Sequence, residues 1–328
     1  VRPLSRTVIS FSALALASAG LAVGAGSASA ALTTHCDGDA ADVTVPGDLV
    51  VDKGDSCVLD GVTIEGEVTV KAGADLLMTD SSIADRVVVS SEGYFDATGT
   101  EVAGNLISKG GYGVYLDDSA LGGSYTGRAV DGADPFLYSY DSSIGGKLTV
   151  EQGLVHLQTV TIDGAVSSEN TLYTDIIDST LAKGLTVSAN EEGTSLCSSE
   201  VDGAATFTGN SGVQLGTGGG LVDCEDGNYF GSDVTLSDNL DGVDVSGNII
   251  RGALSGEGND PAPTGEDNRV RGEVGGQFTD LAPAAQKAQA FAATADPEAH
   301  ADELDAQRND RRATAEQKAE EAGPANLR

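Results

Sequence analysis

Four aspartates recur in one tetrapeptide frame, Asp-Ser-x-Ile/Leu, at Asp80, Asp118, Asp141 and Asp178. Carboxylates on either side of a glycosidic bond are what a glycoside hydrolase requires, one to protonate the leaving oxygen and one to attack or to activate water. The frame argues against that chemistry. A catalytic pair interrupts a repeat locally, whereas an aspartate at the same spot in repeat after repeat does the work of a turn residue. A polysaccharide lyase wants a Lys or Arg base, and basic residues are sparse and scattered along this chain. His35, His156 and His300 form no Ser-His-Asp arrangement, and no glycine-rich loop leads into a helix to cradle phosphate.

Tyrosines offer a second kind of chemistry, stacking on the rings of a sugar ligand. Tyr94, Tyr112 and Tyr173 each follow an apolar repeat position by ten or eleven residues, and Tyr138 and Tyr140 lie near an irregular stretch. Packing along the fold is the plainer reading of the same five residues. Acidic corners make Ca²⁺ the one cofactor to weigh, but the Gly-Gly-x-Gly-x-Asp nonapeptide is absent and no cofactor is expected. Cys36, Cys57, Cys197 and Cys224 make an even set, and two disulfides are expected in an exported protein. The first two stand 21 residues apart and the second two 27, so each pair spans about one repeat. Without a C-x-x-C pair, zinc is a weak alternative.

The element that must position these residues is a short repeat. An apolar anchor falls at Val45, Ile64, Ile83, Val102, Leu121, Ile144, Ile162, Leu181, Val201, Phe230, Ile250 and Val270. The intervals are 18 to 23 residues, with one of 29 before Phe230. Four residues after each anchor stands another apolar or small residue, from Leu49 and Val68 through to Val274. The position between them is glycine except at Asp85, Lys183 and Ser232, which fits a bend between two short strands or a place too narrow for a side chain. Two residues before the anchor, Ser81, Thr100, Ser119, Ser142, Ser179, Ser199, Asn228, Asn248 and Asn268 form a small polar series suited to a corner ladder. No single repeat can bury its own apolar face, so the repeats must stack. The fold class is therefore all-β, a single-stranded parallel β-helix (β-solenoid) of about 12 coils, expected to be right-handed. Loops should bulge near Arg128–Pro135 and Gly216–Gly227.

The ends differ from the middle. Arg2 and Arg6, an apolar run from Val8 to Val23 and Ala28-Ser29-Ala30 read as a secretory signal peptide over 1–30. The solenoid occupies 31–280. From 281 to 328 glycine nearly vanishes and Ala, Glu, Gln, Lys and Arg dominate. This predicts a C-terminal helical or disordered tail, exposed to solvent, broken near Asp296-Pro297, with a thin apolar face of Leu281, Phe291 and Leu304. The chain carries 18 basic and 51 acidic residues, a net charge of −33. Such a surface repels nucleic acid and anionic lipid, because binding either depends on cationic side chains displacing counterions. No second apolar stretch is long enough for a membrane span.

The segments 'GDLVVDKGDSCVLDGVTIEGEVTVKAGADL', 'CEDGNYFGSDVTLSDN' and 'GNIIRGALSGEGNDPAPTGEDNRVRGEVGGQ' resemble a group of secreted actinobacterial right-handed parallel β-helix proteins of unknown function. The resemblance covers roughly residues 36–280, and 'PAPTG' followed by Asn-x-Val-x-Gly is its most specific part. It implies the fold and export and brings no activity. It also implies a cysteine before 'PAPTG' and another after the final Gly-Gln; Gly256 and Phe278 stand there instead, so one bridge of the pattern is missing and the C-terminal cap should be less firmly tied.

Together these features predict a secreted, extracellular, non-catalytic solenoid serving in adhesion, envelope or matrix association, or glycan binding. Its partner would be a cell-wall or environmental polysaccharide or another extracellular protein. The alternative is a carbohydrate-active enzyme, a polysaccharide lyase or glycoside hydrolase on a β-helix scaffold.

Overall fold

The structure, a computed structural model, describes residues 32–283 and 297–327 apart from 131–133 and 219. The expected leader over 1–30 and Phe291 lie outside the described residues.

Each coil is made of three short strands, and every step between coils is parallel. The anchors occupy two-residue strands such as Thr63–Ile64, Ser82–Ile83 and Glu101–Val102. These pair one coil to the next in a single 12-stranded sheet. Val45 faces Ile64, then Ile83, Val102, Leu121 and onward to Ile250 and Val270 in unbroken register. Eleven of the twelve are buried, and Val270 on the last coil is partly so. Within each two-residue strand the anchor points inward and its neighbour faces solvent, as alternate strand positions must.

After the anchor the chain bends and resumes as a second strand at the plus-four residue. Leu49, Val68, Val87, Leu106, Tyr125, Leu148 and their successors form a second buried ladder. It ends where Val274 meets Leu254. Nine of the twelve bends carry glycine, and at these the coil below approaches closely. A Cβ on Gly164 would stand 2.3 Å from the carbonyl oxygen of Gly146 in the preceding bend.

The third strand of each coil, for example Asp75–Thr79, Tyr94–Thr98 and Gly113–Asp117, stacks the same way. Leu148–Gln158 and Val166–Ile177 run through the second and third positions without a break, which joins both columns into one 21-stranded sheet.

The polar corner is a one-way ladder. The hydroxyl of Ser81 accepts from the Val62 N–H, Thr100 accepts from Ser81, Ser119 from Thr100 and Ser142 from Ser119. The series continues through Ser179 and Ser199 to Asn228, Asn248 and Asn268. A second ladder, not foreseen, lies at another corner: Asn210 accepts from the Asn190 N–H, then Asn239, Asn259 and finally Gln277 continue it. Each rung satisfies a buried backbone donor that the turn leaves unpaired.

Both disulfides are formed. Cys36–Cys57, with Cα atoms 5.6 Å apart, ties the opening strand to the first complete coil. Cys197–Cys224, at 5.5 Å, fastens the long loop after Gly216 to its coil. Inside that loop Gln214 Oε1 accepts from the backbone N–H groups of Gly220, Leu221 and Val222. At the C-terminal end Phe278 is buried against the core and Gln277 exchanges hydrogen bonds with Asn259. An aromatic plug and a paired amide thus close this end of the coils.

The tail is helical, one of the two forms expected, but it is docked where an exposed one was foreseen. Pro297–Ala322 is one helix, beginning at the proline foreseen as a break and fitting proline's preference for the first helical position. It is not a solvated helix. Ala315, Ala319 and, beyond its end, Leu327 are buried. Gly323, at φ 81°, ends the helix in the left-handed region. Its carbonyl then accepts from Asp39 N–H, and Ala325 N–H donates to Asp39 O. The chain's last residues therefore pair with Gly38–Ala41 and cover an edge that would otherwise be open at the first coil.

Candidate functional site

The third strand column has an inner and an outer face. Its inner residues, among them Leu76, Phe95, Val114 and Leu137, join the main core. Its outer residues fall in two files set by the register. Asp75, Tyr94, Gly113, Phe136, Leu154 and Tyr173 make one file. Leu77, Asp96, Tyr115, Tyr138, His156 and Asp175 make the other. The fold thus gathers three acids and a run of aromatic rings on one outward surface, from residues as far apart in sequence as Asp75 and Asp175.

The five tyrosines singled out from sequence all reach this region. Tyr94 and Tyr112 stand edge to face with centroids 6.0 Å apart, and both meet Phe136. Phe136 stacks on Tyr138 at 4.2 Å, and the Tyr138 hydroxyl lies 3.2 Å from that of Tyr173. Tyr140 packs against Tyr115 and His156. Tyr94, Tyr138 and Tyr173 are buried, while Tyr112 and Tyr140 keep part of their surface. Gly113 makes the cluster possible, because a Cβ there would fall 2.2 Å from the Phe136 ring.

What covers the surface is the C-terminal helix, and the contact is ionic. Asp75 and Asp96 have no exposed side-chain surface. Arg311 Nε donates to Asp75 at 2.6 Å, and Lys318 Nζ lies 3.4 Å from the same carboxylate. Arg312 donates to Asp96 at 2.9 Å and Arg308 reaches it at 3.4 Å. The coils supply one further donor to each acid, Ser56 to Asp75 at 2.9 Å and Tyr94 to Asp96 at 2.6 Å. Two guanidinium groups also lie over aromatic faces, Arg308 at 3.8 Å from the Tyr115 centroid and Arg311 at 4.9 Å from that of Tyr112. Gln307 completes the contact, its carbonyl accepting from Tyr112 and its side chain from Tyr138.

Burial raises the Tyr115 hydroxyl to about 12 and pushes Tyr94 and Tyr173 higher still, with Asp96 beside Tyr94 and Tyr138 beside Tyr173 adding to it. Burial works against the charge on Arg308, but Asp96, together with Tyr115 and Tyr94, outweighs it and holds the guanidinium pKa above its ordinary value.

Sequence reasoning missed the acids and the cations. Arg308, Arg311, Arg312, Ala315, Lys318 and Ala319 share one helix face at three- and four-residue spacing. That pattern was present in the basic residues read as scattered.

The recurring aspartates are placed elsewhere. Asp80, Asp118, Asp141 and Asp178 are exposed and adopt left-handed φ values of 46° to 49°. Gly61, Gly99 and Gly247 do the same at this corner in other coils. They are turn residues, for which aspartate and glycine are suited.

Among the described residues there is no group of three or more His, Cys, Asp or Glu side chains arranged to hold a metal ion. No described helix is long and apolar enough to cross a membrane. No family model, no curated protein and no solved structure matches this chain.

Proposed function

We propose that the protein acts outside the cell as a non-catalytic solenoid that binds or organises other extracellular molecules, in adhesion, in envelope or matrix association, or in glycan binding. Its place among secreted actinobacterial β-helix proteins is part of the same proposal. The observation that carries the reading is the state of the acid–tyrosine surface. Asp75 stands beside Tyr94 and Asp96 beside Tyr115 in the strand register, and each carboxylate is matched by two cations from the chain's own helix. A glycosidase needs its acid and its base free to meet substrate and water. Here both carboxylates are committed to holding a helix. Two disulfides and a strongly acidic composition suit an oxidising, extracellular setting.

The test is a glycan array together with a hydrolysis and lyase screen on the purified chain from Ala31 onward. Retention on cell-wall or environmental polysaccharides, with no new reducing ends and no unsaturated products, is the expected outcome. Turnover of any polysaccharide would contradict the reading.

A further inference from the structure

The C-terminal helix is held far more by charge than by apolar area. Among the side chains described, its buried hydrophobic residues are Ala315 and Ala319, with Leu327 beyond its end. Alanine has little surface to remove from water. Four cations against two buried carboxylates and two guanidinium groups over tyrosine rings supply most of its side-chain contacts, beside the hydrogen bonds of Gln307 and the backbone pairing of Gly323 and Ala325 with Asp39. The receiving half of this contact is built by the coils. Strand register places Asp75 beside Tyr94 and Asp96 beside Tyr115. Ser56 and Tyr94 orient the two carboxylates with hydrogen bonds that involve no residue of the helix. Acid and aromatic face together recognise a guanidinium group by its charge and by its plane. A second copy of the chain carries the same helix with the same fit, and exchange of an identical element between copies is a low-cost route to association. Thirteen residues, 284–296, separate the end of the solenoid from Pro297, a covalent reach of up to roughly 43 Å.

We propose that the outer surface bearing Asp75, Asp96, Tyr112 and Tyr115 is a receptor for an arginine-bearing helix. The chain's own helix fills it in cis, and the helix of a second copy takes the same seat in trans.

The test uses two full-length mature variants with opposite defects. Arg308→Ala/Arg311→Ala/Arg312→Ala keeps the receptor and spoils the helix; Asp75→Asn/Asp96→Asn keeps the helix and spoils the receptor. Each alone should run at single-chain mass in light scattering. An equimolar mixture should give a species of twice that mass containing one of each. A mixture that stays at single-chain mass, while both variants keep their strand signal and both disulfides, would overturn the proposal. So would doubling by either variant alone. Should the acid variant fail to fold, a labelled peptide of residues 297–328 is added to the arginine variant. Saturable binding at least tenfold tighter than to the wild-type chain, whose receptor is already filled, is the expected result; equal or weaker binding overturns the idea. None of these outcomes depends on glycan binding.

Discussion

Ile83 is paired with Ile64 on one side and Val102 on the other, and 1% of it is exposed. Cutting it to alanine removes contacts with both neighbouring coils, at an expected cost of about 2–5 kcal/mol in denaturant unfolding. Ser119 has a smaller side chain but three hydrogen bonds. It accepts from the Thr100 N–H and reaches the carbonyls of Ala97 and Asp117. Ser119→Ala orphans a buried backbone donor, so its cost should be about 1–3 kcal/mol rather than the negligible value its surface-like residue type suggests. Equal unfolding midpoints for Ile83→Ala and wild type would contradict the anchor ladder. Tyr115 gives a pH prediction of the opposite kind. Its hydroxyl is raised by burial from the ordinary value near 10 to about 12. A raised pKa means the folded state favours the protonated form. The contribution is therefore complete below pH 10 and is lost as pH rises through 12. Absorbance at 295 nm should show tyrosine ionisation lagging behind that of free tyrosine over pH 10 to 12, with stability falling across the same window. All eight tyrosines titrating together near 10 in a folded chain would be incompatible with the cluster.

At the scale of elements, the parts legible in the sequence are those that repeat. The anchor and plus-four ladders could be read because one missed residue in twelve copies does not hide a period, and a one-residue slip would turn the whole apolar set outward. The second asparagine ladder was equally periodic, since Asn190, Asn210, Asn239 and Asn259 each stand nine residues after an anchor. It is harder to read because it begins only at Asn190 and covers the last coils, whereas the corner before the anchor carries its polar series from Ser81 onward. The helix was illegible for a different reason. A docked helix usually declares itself by an apolar stripe, and this one docks by arginines and two alanines. In a polar segment that pattern is indistinguishable from a solvated face until the coils show what lies opposite. Asp75 and Asp96 were hidden among 51 acidic residues, and only register picks them out.

For the whole molecule, the account joins a stack of twelve parallel coils, closed at its first coil by the chain's own C-terminal residues, to an acid–tyrosine surface that this same segment covers. Removing one side of a buried charge pair costs roughly 3–5 kcal/mol when the other side must remain buried. Here the helix can leave instead, so its detachment should precede loss of the coils. Stability then varies along the molecule, which hydrogen exchange reads directly. The decisive measurement is amide exchange by mass spectrometry on the mature chain and on its Arg308→Ala/Arg311→Ala/Arg312→Ala variant. Residues 305–322 should be protected in the wild type and exchange freely in the variant, while strands such as Val87–Val89 and Tyr94–Thr98 stay protected in both. Exchange of 305–322 in the wild-type chain as fast as in a free peptide of the same sequence would contradict the account.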